Sequence, residues 1–327
     1  MREYCADIEE PAYRGGQLAR WIYARAARDF NAMTDLPVGF RRKLAENARI
    51  SRSRVEAISD SADGTRKFLL EYSDGSAVES VLLPYSDRLT ACVSTQVGCA
   101  VGCAFCATGA QGFTRNLSAG EIVDQVLTLQ ETAGRRVTNV VYMGMGEPLF
   151  NYRAVMKSVR LLNREVGIAM RRLTISTIGI VPQIRKLAVE KLQLTLAISL
   201  HAATDELRER LIPISRKYPL SELMAACRDY ADLTNRRITF EYMLLGGVND
   251  DVESAGTLVA RIHGILCNVN LIPYNEIAGI DFQRPTNQAV RRFREVLEKA
   301  GIETTERLER GHAIAAACGQ LRGRGKR

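Results

Sequence analysis

From residue 88 onward, the sequence repeats one pattern, in which a short β-rich run is followed by a loop and an amphipathic helical segment. The β-rich runs are RLTACVSTQ, VTNVVYMG, RRLTISTI, LQLTLAISL, RRITFEYMLL and LCNVNLIPY. Helical patterns separate these runs, and the last pattern, TNQAVRRFREVLEKAG, ends on the helix stop signal Gly301. Six such units predict a parallel sheet wrapped by helices, which is either doubly wound or a partial barrel.

The first 84 residues have a different pattern. Helical segments with arginine-rich exposed faces are predicted within residues 13–47, and GQLARWIYARA places Leu18, Trp21 and Ile22 on one apolar face. KFLLEYSDGSAVESVLLP then reads as a β-hairpin whose tight turn contains Asp74 and Gly75. We therefore expect an accessory region over residues 1–84, a core over 85–307 and a C-terminal loop and tail over 308–327.

Composition narrows the class of protein. Of the 327 residues, 46% are hydrophobic and 25% are charged, which is typical of a globular protein with one large domain or two. No apolar run is long enough for a membrane span, and the N-terminus lacks an apolar signal segment. We therefore expect a cytoplasmic protein whose eight cysteines are thiols, ligands or catalysts rather than disulfides. The net charge of +8 suits a polyanionic partner and fits simple solubility equally well.

Cys99, Cys103 and Cys106 lie within CAVGCAFC, directly after the first predicted strand. This placement puts them at the carboxyl ends of the strands, where parallel sheets carry their active sites. Three thiolates can hold zinc or an iron–sulfur cluster, but structural zinc usually takes four protein ligands, and no further Cys or His lies near in sequence. A 4Fe–4S cluster held by three cysteines leaves one iron open to a small molecule. The spacing therefore favours the cluster over zinc.

The C-x3-C-x-F-C motif after the first strand of a β/α repeat resembles the radical S-adenosylmethionine (SAM) superfamily. The resemblance implies a partial (β/α)6 barrel and a 4Fe–4S cluster whose open iron chelates SAM. Reductive cleavage of SAM would then give a 5′-deoxyadenosyl radical. Downstream, GMGEPLFN contains Gly144, Gly146 and Glu147, and it is similar to the element with which these enzymes bind the SAM amino group.

Nearly the whole chain resembles the radical SAM rRNA methyltransferases RlmN and Cfr, which modify adenine. The segments that carry the resemblance are CVSTQVGC, FCATGAQGFTRNL, GMGEPL, ISLHA, EYMLLGGVND, NLIPYN and AACGQL. Without it, a serine or asparagine at a strand end would be interpreted only as a cap. The resemblance implies that a common set of residues lines the SAM site: Gly146, Glu147, Ser176, Ser199, Leu200, His201 and Asn275.

The resemblance also implies functions for three residues that nothing else in the sequence identifies. Cys318, in AACGQL, corresponds to the cysteine that is methylated and carries the new carbon, and Cys92 corresponds to its resolving partner and base. Glu79 matches a glutamate described as a proton acceptor. Read without the family, both cysteines would be packing residues and Glu79 an exposed strand carboxylate. Cys5, Cys227 and Cys267 match no family role.

The function that the resemblance implies is methylation of adenine C2 in 23S rRNA, with tRNA left open as a second substrate. One SAM would methylate Cys318 and a second would supply the radical. The methyl-derived carbon would then join RNA to protein until Cys92 attacks the Cys318 sulfur and a disulfide forms. The target base must be unstacked to be reached, so single-stranded or splayed RNA is expected, held by the arginine-rich helices and by RRFR at 291–294. The implied partners are RNA and a flavodoxin- or ferredoxin-type electron donor, with the enzyme as a monomer.

Two alternatives remain open from the sequence. Proline at 148 is typical of RlmN, whereas Cfr-type sequences, which modify C8, tend to have alanine, so C2 is favoured. The family usually has an aspartate where this chain has Ala313, which bears on closure of the C-terminal loop or on regiochemistry. A rival from another class is a non-catalytic iron–sulfur or zinc protein that binds RNA.

Overall fold

A computed structural model describes residues 1–308 and 310–324. Residues 309 and 325–327 of the predicted C-terminal segment lie outside the described residues. The strands, in chain order, are β1 (Arg54–Asp60), β2 (Arg66–Glu71), β3 (Ala77–Pro84), β4 (Leu89–Cys92), β5 (Gln96–Gly98), β6 (Phe113–Asn116), β7 (Asn139–Tyr142), β8 (Leu173–Thr177), β9 (Thr195–Ser199), β10 (Ile238–Leu244), β11 (Cys267–Pro273) and β12 (Thr304–Glu306).

Three helices precede the first strand, and most of the others alternate with the parallel strands. The helices are α1 (Arg2–Asp7), α2 (Arg14–Ala19), α3 (Val38–Asn47), α4 (Ala107–Ala110), α5 (Ala119–Ala133), α6 (Tyr152–Arg164), α7 (Val181–Val189), α8 (Asp205–Leu211), α9 (Leu220–Thr234), α10 (Val252–Ile262) and α11 (Asn287–Lys299). A π-helical turn, Arg20–Ala24, continues α2. Among the described residues, no helix combines the length and the apolar character that crossing a bilayer would require.

One ten-stranded sheet, in the order β1-β2-β3-β4-β7-β8-β9-β10-β11-β12, forms the body of the molecule. Pairing is antiparallel from β1 to β4 and parallel from β4 to β12. Because the parallel strands follow one another in chain order, right-handed crossovers place their helices on one face. A doubly wound sheet would reverse its strand order, so this topology confirms the partial barrel. The edges β1 and β12 do not pair with each other, so the barrel is incomplete.

The six predicted parallel strands and the helices between them are confirmed. Their strands bury both faces, as β10 does at every residue except Thr239, because helices cover one face and the opposite face turns inward. Local signals fix the helix ends. Ser118 and Glu121 form a capping box at the start of α5, and Gly134 ends that helix in the left-handed conformation with φ of 61°.

Several elements were missed. β1 is mostly exposed and reads as polar, β12 has only three residues, and α8 lies in a segment for which we predicted no element. β5 and β6 form a separate two-stranded sheet that flanks the three cysteines. Short or exposed elements lack the run of apolar side chains from which periodicity is read.

The N-terminal helices have an apolar cluster of their own, separate from the main core. Its buried members are Cys5, Leu18, Ala27, Phe30, Met33, Leu36, Phe40 and Leu44. Trp21 and Ile22 pack against this cluster, as predicted for that face of the helix. The predicted hairpin is β2–β3, and its side chains belong to the main core. A buried ion pair between Arg52, in the segment that follows α3, and Asp124 joins this part of the chain to α5.

Candidate active site

A cavity of about 790 Å³ opens at the carboxyl ends of the parallel strands. Its wall is formed by residues from β3 on one side round to β12 on the other, which shows how far the sheet curves. All but two of the predicted site residues line it: Cys92, Cys99, Cys103, Cys106, Gly146, Glu147, Ser176, Ser199, His201, Asn275 and Cys318. The two that do not are Glu79 and Leu200. The cavity therefore has the position expected for an active site on this fold.

The three predicted ligands lie in a tight loop, residues 99–112, between β5 and β6. The loop closes because Cys99 N–H donates to the Gly112 carbonyl over 2.8 Å. Gly98 has φ of +74°, and a Cβ there would lie 1.9 Å from the Gly112 oxygen, so only glycine fits. Ala104 N–H donates to the Leu211 carbonyl over 2.9 Å, which fixes the centre of the loop to the end of α8.

The donor set fits an iron–sulfur cluster. Cys99, Cys103 and Cys106 are free thiols, each half-buried. Burial raises the pKa of the Cys103 thiol well above its usual range, and repulsion from Cys106 and Cys99 adds to this. Thiolates so disfavoured need a bound metal centre to compensate for their charge. No group of three His, Cys, Asp or Glu side chains within residues 1–308 and 310–324 is arranged to hold a single metal ion.

The glycines of GMGEPL let the chain pass close to its neighbours. A Cβ at Gly146 would lie 2.5 Å from Gln96 Cβ, and one at Gly144 would lie 2.7 Å from Ser94 Oγ. The Glu147 carboxylate accepts one backbone N–H on each oxygen, from Leu149 and Ile178, both over 2.9 Å. Burial raises the pKa of Glu147 to about 7. Because each carboxylate oxygen accepts only one of these bonds, the group can still accept bonds from an ammonium ligand.

The strand-end residues face the cavity from three further strands or their ends. Ser176 Oγ and Ser199 Oγ lie 3.3 Å apart on adjacent strands. Asn275 Oδ1 is buried and has no hydrogen-bond partner among the described residues, which is the state expected of a group that waits for a ligand. Leu200 differs, since its side chain is fully buried in the core and only its neighbours reach the cavity.

His201 is held in one orientation by the end of β10. It adopts φ of 58°, and its Nδ1 accepts a hydrogen bond from Met243 N–H over 3.0 Å. Burial, with a smaller contribution from Arg208, lowers the pKa of His201 to about 3. The ring is therefore neutral, and with Nδ1 acting as acceptor its proton lies on Nε2. A neutral N–H donor at the cavity wall suits an uncharged or anionic acceptor on a ligand.

Cys92 and Cys318 are far apart in sequence, but both line the cavity and they influence each other electrostatically. Burial raises the pKa of the Cys92 thiol to about 12, and the Cys318 sulfur adds to this, while Arg307 opposes it. The pKa of Arg307 is raised, mainly by the Cys318 sulfur and also by Glu241 and Cys92. One guanidinium thus interacts with both sulfurs, and it opposes the rise that burial causes in the pKa of the Cys92 thiol.

The Arg307 guanidinium is held by a buried acid. Its Nη1 lies 3.8 Å from Glu241 Oε2, and that oxygen also accepts a hydrogen bond from Asn270 Nδ2 over 2.7 Å. Our sequence-based prediction missed both Arg307 and Glu241. Glu241 could have been noticed, because a charged residue within the apolar run of β10 is unusual. Arg307 has no comparable signal, since it follows a strand of three residues that we did not predict.

Glu79 lies on β3 beneath the segment that carries Cys318. Its carboxylate forms an ion pair with Lys67 Nζ over 3.0 Å and accepts the Arg322 backbone N–H over 2.7 Å. Lys67 Nζ also donates to the Ala315 carbonyl over 3.3 Å. Lys67 and Glu79 therefore hold the chain on both sides of Cys318.

We call residues 315–324 the C-terminal strap. It is bonded to the cysteine loop at three points, where Ala107 N–H donates to Gly319 O (2.8 Å), Thr108 Oγ1 donates to Leu321 O (2.6 Å) and Gln111 Oε1 accepts Gly323 N–H (3.0 Å). Its end pairs with Ala77 through Arg324. The strap thereby brings Cys318 to the edge of the three-cysteine loop.

Family models match most of the chain. The radical SAM superfamily matches residues 93–258, and the ribosomal RNA large subunit methyltransferase N-terminal domain matches residues 1–50. A crystal structure of a radical SAM methyltransferase from Sphaerobacter thermophilus superposes with a TM-score of 0.94 at 48% identity, covering 98% of this chain and 96% of that one.

Relatives extend the likeness over nearly the full length. A protein of Gloeobacter violaceus named "Probable dual-specificity RNA methyltransferase RlmN" is 51% identical over 99% of this chain and 93% of that protein. A protein of Moorella thermoacetica with the same name is 50% identical over 98% of this chain and 94% of its own. The superfamily implies a 4Fe–4S cluster and SAM, for which the cavity provides the three thiols and the polar wall. With this fold, this cysteine loop and these relatives, the chain belongs to the RlmN family of radical SAM RNA methyltransferases.

Proposed function

We propose that the protein methylates C2 of an adenosine in 23S rRNA, with Cys318 as methyl carrier and Cys92 as resolving cysteine. The observation that supports this proposal best is that Cys92, Cys318 and Arg307 line the cavity that also holds the three cluster thiols, close enough to influence one another electrostatically. A protein that only bound RNA through an iron–sulfur domain would not need a second pair of thiols at that wall.

Cys99, Cys103 and Cys106 would hold the cluster, and the seven predicted SAM residues would form the remainder of the binding wall. When bound, the cluster supplies the electron that cleaves SAM. Glu147 would receive the ammonium group of SAM, and Asn275 Oδ1, which has no partner among the described residues, would serve as a further acceptor. His201 offers a neutral Nε2–H donor. Leu200 contributes through its backbone, since its side chain is buried elsewhere.

Cys318 acts first as a nucleophile. Its sulfur attacks the methyl group of one SAM, a C–S bond forms, and S-adenosylhomocysteine leaves. With a second SAM, one C–H bond of that methyl group would break and its hydrogen would leave in 5′-deoxyadenosine. The resulting methylene carbon on the Cys318 sulfur would then bond to the adenine ring, whose own proton would go to a protein base. Cys92 finally attacks the Cys318 sulfur, which releases the carbon to RNA and leaves a disulfide that needs two electrons to be reduced. In each thiolate step the Arg307 cation stabilises the reacting sulfur.

The assignment of the ring proton to Glu79 stays a prediction. In this conformation the carboxylate faces Lys67 and the Arg322 N–H and does not line the cavity. Acceptance of a substrate proton by Glu79 would therefore require the strap to release it. Cys92, which lines the cavity, is the other predicted base.

The RNA would enter as an unstacked base, with cationic and aromatic groups around the opening. Arg310 lies 4.6 Å from the centre of the Tyr85 ring, and both residues line the cavity. Such groups bind phosphates and stack on bases. The relatives are named as dual-specificity RNA methyltransferases, and we extend the proposal to tRNA as a second RNA substrate. A flavodoxin- or ferredoxin-type donor, a monomeric state and a cytoplasmic location belong to the same proposal.

C2 is proposed over C8 because Pro148 occupies the position where Cfr-type sequences tend to have alanine, and this proline lines the cavity. Fixing φ at the first residue of the short helix that follows Glu147 restricts how the chain can move there. C8 methylation is the second candidate, and only the position of the methyl group on the product separates the two.

The test uses anaerobically reconstituted protein with SAM, an electron donor and 23S rRNA from a strain that lacks the modification. We expect a methyl adduct on the Cys318 peptide by mass spectrometry, and 2-methyladenosine among the nucleosides. Cys318→Ala should bind the cluster and cleave SAM but give neither product. Cys267→Ser, a half-buried thiol outside the cavity, is the control. Absence of the adduct from wild type would contradict the carrier role, and 8-methyladenosine would favour C8.

A further inference from the structure

Arg208 on α8 is a buried charge without an ion-pair partner. Only 1% of its surface is exposed, and no carboxylate lies within 4.0 Å of its guanidinium in the described parts of the chain. Its Nε donates to the Leu200 carbonyl over 3.3 Å, and its Nη2 donates to the Ile178 carbonyl. Burial lowers the pKa of Arg208 to about 10, so the group still carries its charge near neutrality. Buried charges are normally paired, because the cost of leaving water exceeds what two carbonyls return.

The surroundings of Arg208 contain one weak counter-charge and two thiols. Asp205 lies three residues earlier on α8, and its Oδ1 accepts the Leu220 N–H over 2.7 Å. Cys227 is fully buried, and burial raises its pKa to about 12, so it is neutral. The other thiol is Cys103, which belongs to the cluster loop and lies within electrostatic range of Arg208.

The cluster loop is attached to the same helix. Leu211 ends α8, and its carbonyl accepts the N–H of Ala104, the residue after Cys103. Phe105 in that loop packs edge-on against His201, with ring centroids 5.0 Å apart. The Arg208 charge contributes to the lowered pKa of His201. The guanidinium is thus fixed behind the loop by two carbonyls and cannot turn towards solvent.

We propose that the counter-ion of Arg208 is the cluster itself, and that Arg208 is a positioning residue that raises the reduction potential of the cluster. The inference rests on the proposed function only in that the loop must hold the family's cluster. Three thiolates make the bound centre anionic, and its reduction adds a further negative charge. A fixed buried cation stabilises the reduced state more than the oxidised one. The charge that burial makes costly in the apo-protein therefore becomes favourable when the cluster is present.

The test compares Arg208→Met, Arg208→Gln and Arg208→Lys in reconstituted holoenzyme and in apo-protein, without RNA. In a redox titration followed by electron paramagnetic resonance, we expect Met and Gln to lower the equilibrium constant of cluster reduction at least about tenfold, or about 59 mV for one electron. Arg208→Lys should keep a potential near that of wild type. Thermal unfolding of the apo-protein should be unchanged or raised by Met, whereas the holoenzyme should unfold at a lower temperature.

Arg261→Met is the matched control. Arg261 Nε also donates to a carbonyl of the neighbouring turn, that of Ala203, over 3.1 Å, but Arg261 exerts no resolved influence on the cluster cysteines. Its loss should leave the potential unchanged. If Arg208→Met does not fold, the reduction potentials of Arg208→Gln and Arg208→Lys still test the proposal, because only the lysine variant keeps the positive charge. Equal potentials in Gln, Lys and wild type would overturn the proposal. If the potentials shift as expected but wild-type holoenzyme, assayed separately with RNA, methylates none, the result would count against the proposed function alone.

Discussion

The cluster loop and the C-terminal strap meet at the same cavity but are built in different ways. The loop places three ligands within eight residues, and it is closed by its own backbone at Cys99 and Gly112. The strap has one functional residue, Cys318, and is held by side chains from β2 and β3 and by the loop itself. A metal site can thus be encoded locally, whereas the position of the carrier cysteine depends on several long-range contacts, each of about 1 kcal/mol.

The largest expected effect comes from breaking the local site. Cys103→Ser should abolish the cluster and all SAM cleavage, because two thiolates cannot hold a 4Fe–4S centre. Iron content and visible absorbance of reconstituted protein measure this loss. Hydrogen–deuterium exchange of residues 315–324 should stay near that of wild-type apo-protein, since the strap bonds to Ala107, Thr108 and Gln111 of the loop and not to the Cys103 side chain. A cluster retained at normal content would contradict the assignment of Cys103.

A smaller effect is expected at Glu147, which also lines the cavity, and it concerns how the free energy of unfolding depends on pH. Burial raises the pKa of Glu147 to about 7 in the folded chain, so its contribution to stability is present at acid pH and is lost as pH rises through about 7. In apo-protein we expect wild type to lose about 3 kcal/mol relative to Glu147→Gln between about pH 4.5 and 7. Urea unfolding at several pH values measures it, with the exposed Glu253→Gln as control. If the free energy of unfolding depends on pH in the same way in wild type and Glu147→Gln, the pKa of Glu147 is not raised.

The ion pair beneath the strap should matter less, and only for the strap. Lys67→Met removes the donor to Ala315 and frees the Glu79 carboxylate, and amide exchange of residues 315–323 should accelerate about tenfold. Lys67→Arg should restore slow exchange, and cluster content should not change. Asp60→Asn breaks an ion pair of 2.7 Å with Arg66, between β1 and β2 and away from the strap, and serves as the control. Unchanged exchange in Lys67→Met would show that the strap does not depend on this pair.

The smallest effect is expected at the far end of the strap. Arg324 pairs with Glu56 over 2.8 Å and with Glu71, but these side chains are partly exposed, so solvent screens the pairs. Arg324→Met should therefore change exchange of the strap only about twofold, and less at high salt. An effect as large as that of Lys67→Met would mean that the two ends of the strap are of equal importance.

The sequence predicted most of the fold that surrounds the cavity. Alternation of apolar runs and amphipathic segments located six strands and six helices, because buried parallel strands and covering helices have strong periodic patterns. It did not separate a doubly wound sheet from a barrel, since strand order is set by pairing between segments. It missed β1, β12 and α8, which are short or exposed, and α8 carries Arg208.

The candidate site divides in the same way. The cysteine triplet and the glycines of GMGEPL are local, and the chemistry of their spacing is visible without coordinates. Cys92 and Cys318 were named only through resemblance, and the long-range partners Lys67, Arg307 and Glu241 were not named at all. Glu79 was named, but its contacts with Lys67 and Arg322 were not foreseen.

By itself, then, the sequence determined the three-thiol loop, the β/α repeat that supports it and the turn residues that require glycine, because each depends on neighbours within a few positions. Only the tertiary structure decided which residues face the Cys318 sulfur, why Leu200 points away from the cavity, and where Arg208 lies. Those relations are set by the curvature of the sheet and by the return of the chain across it, and neither is written in any short segment.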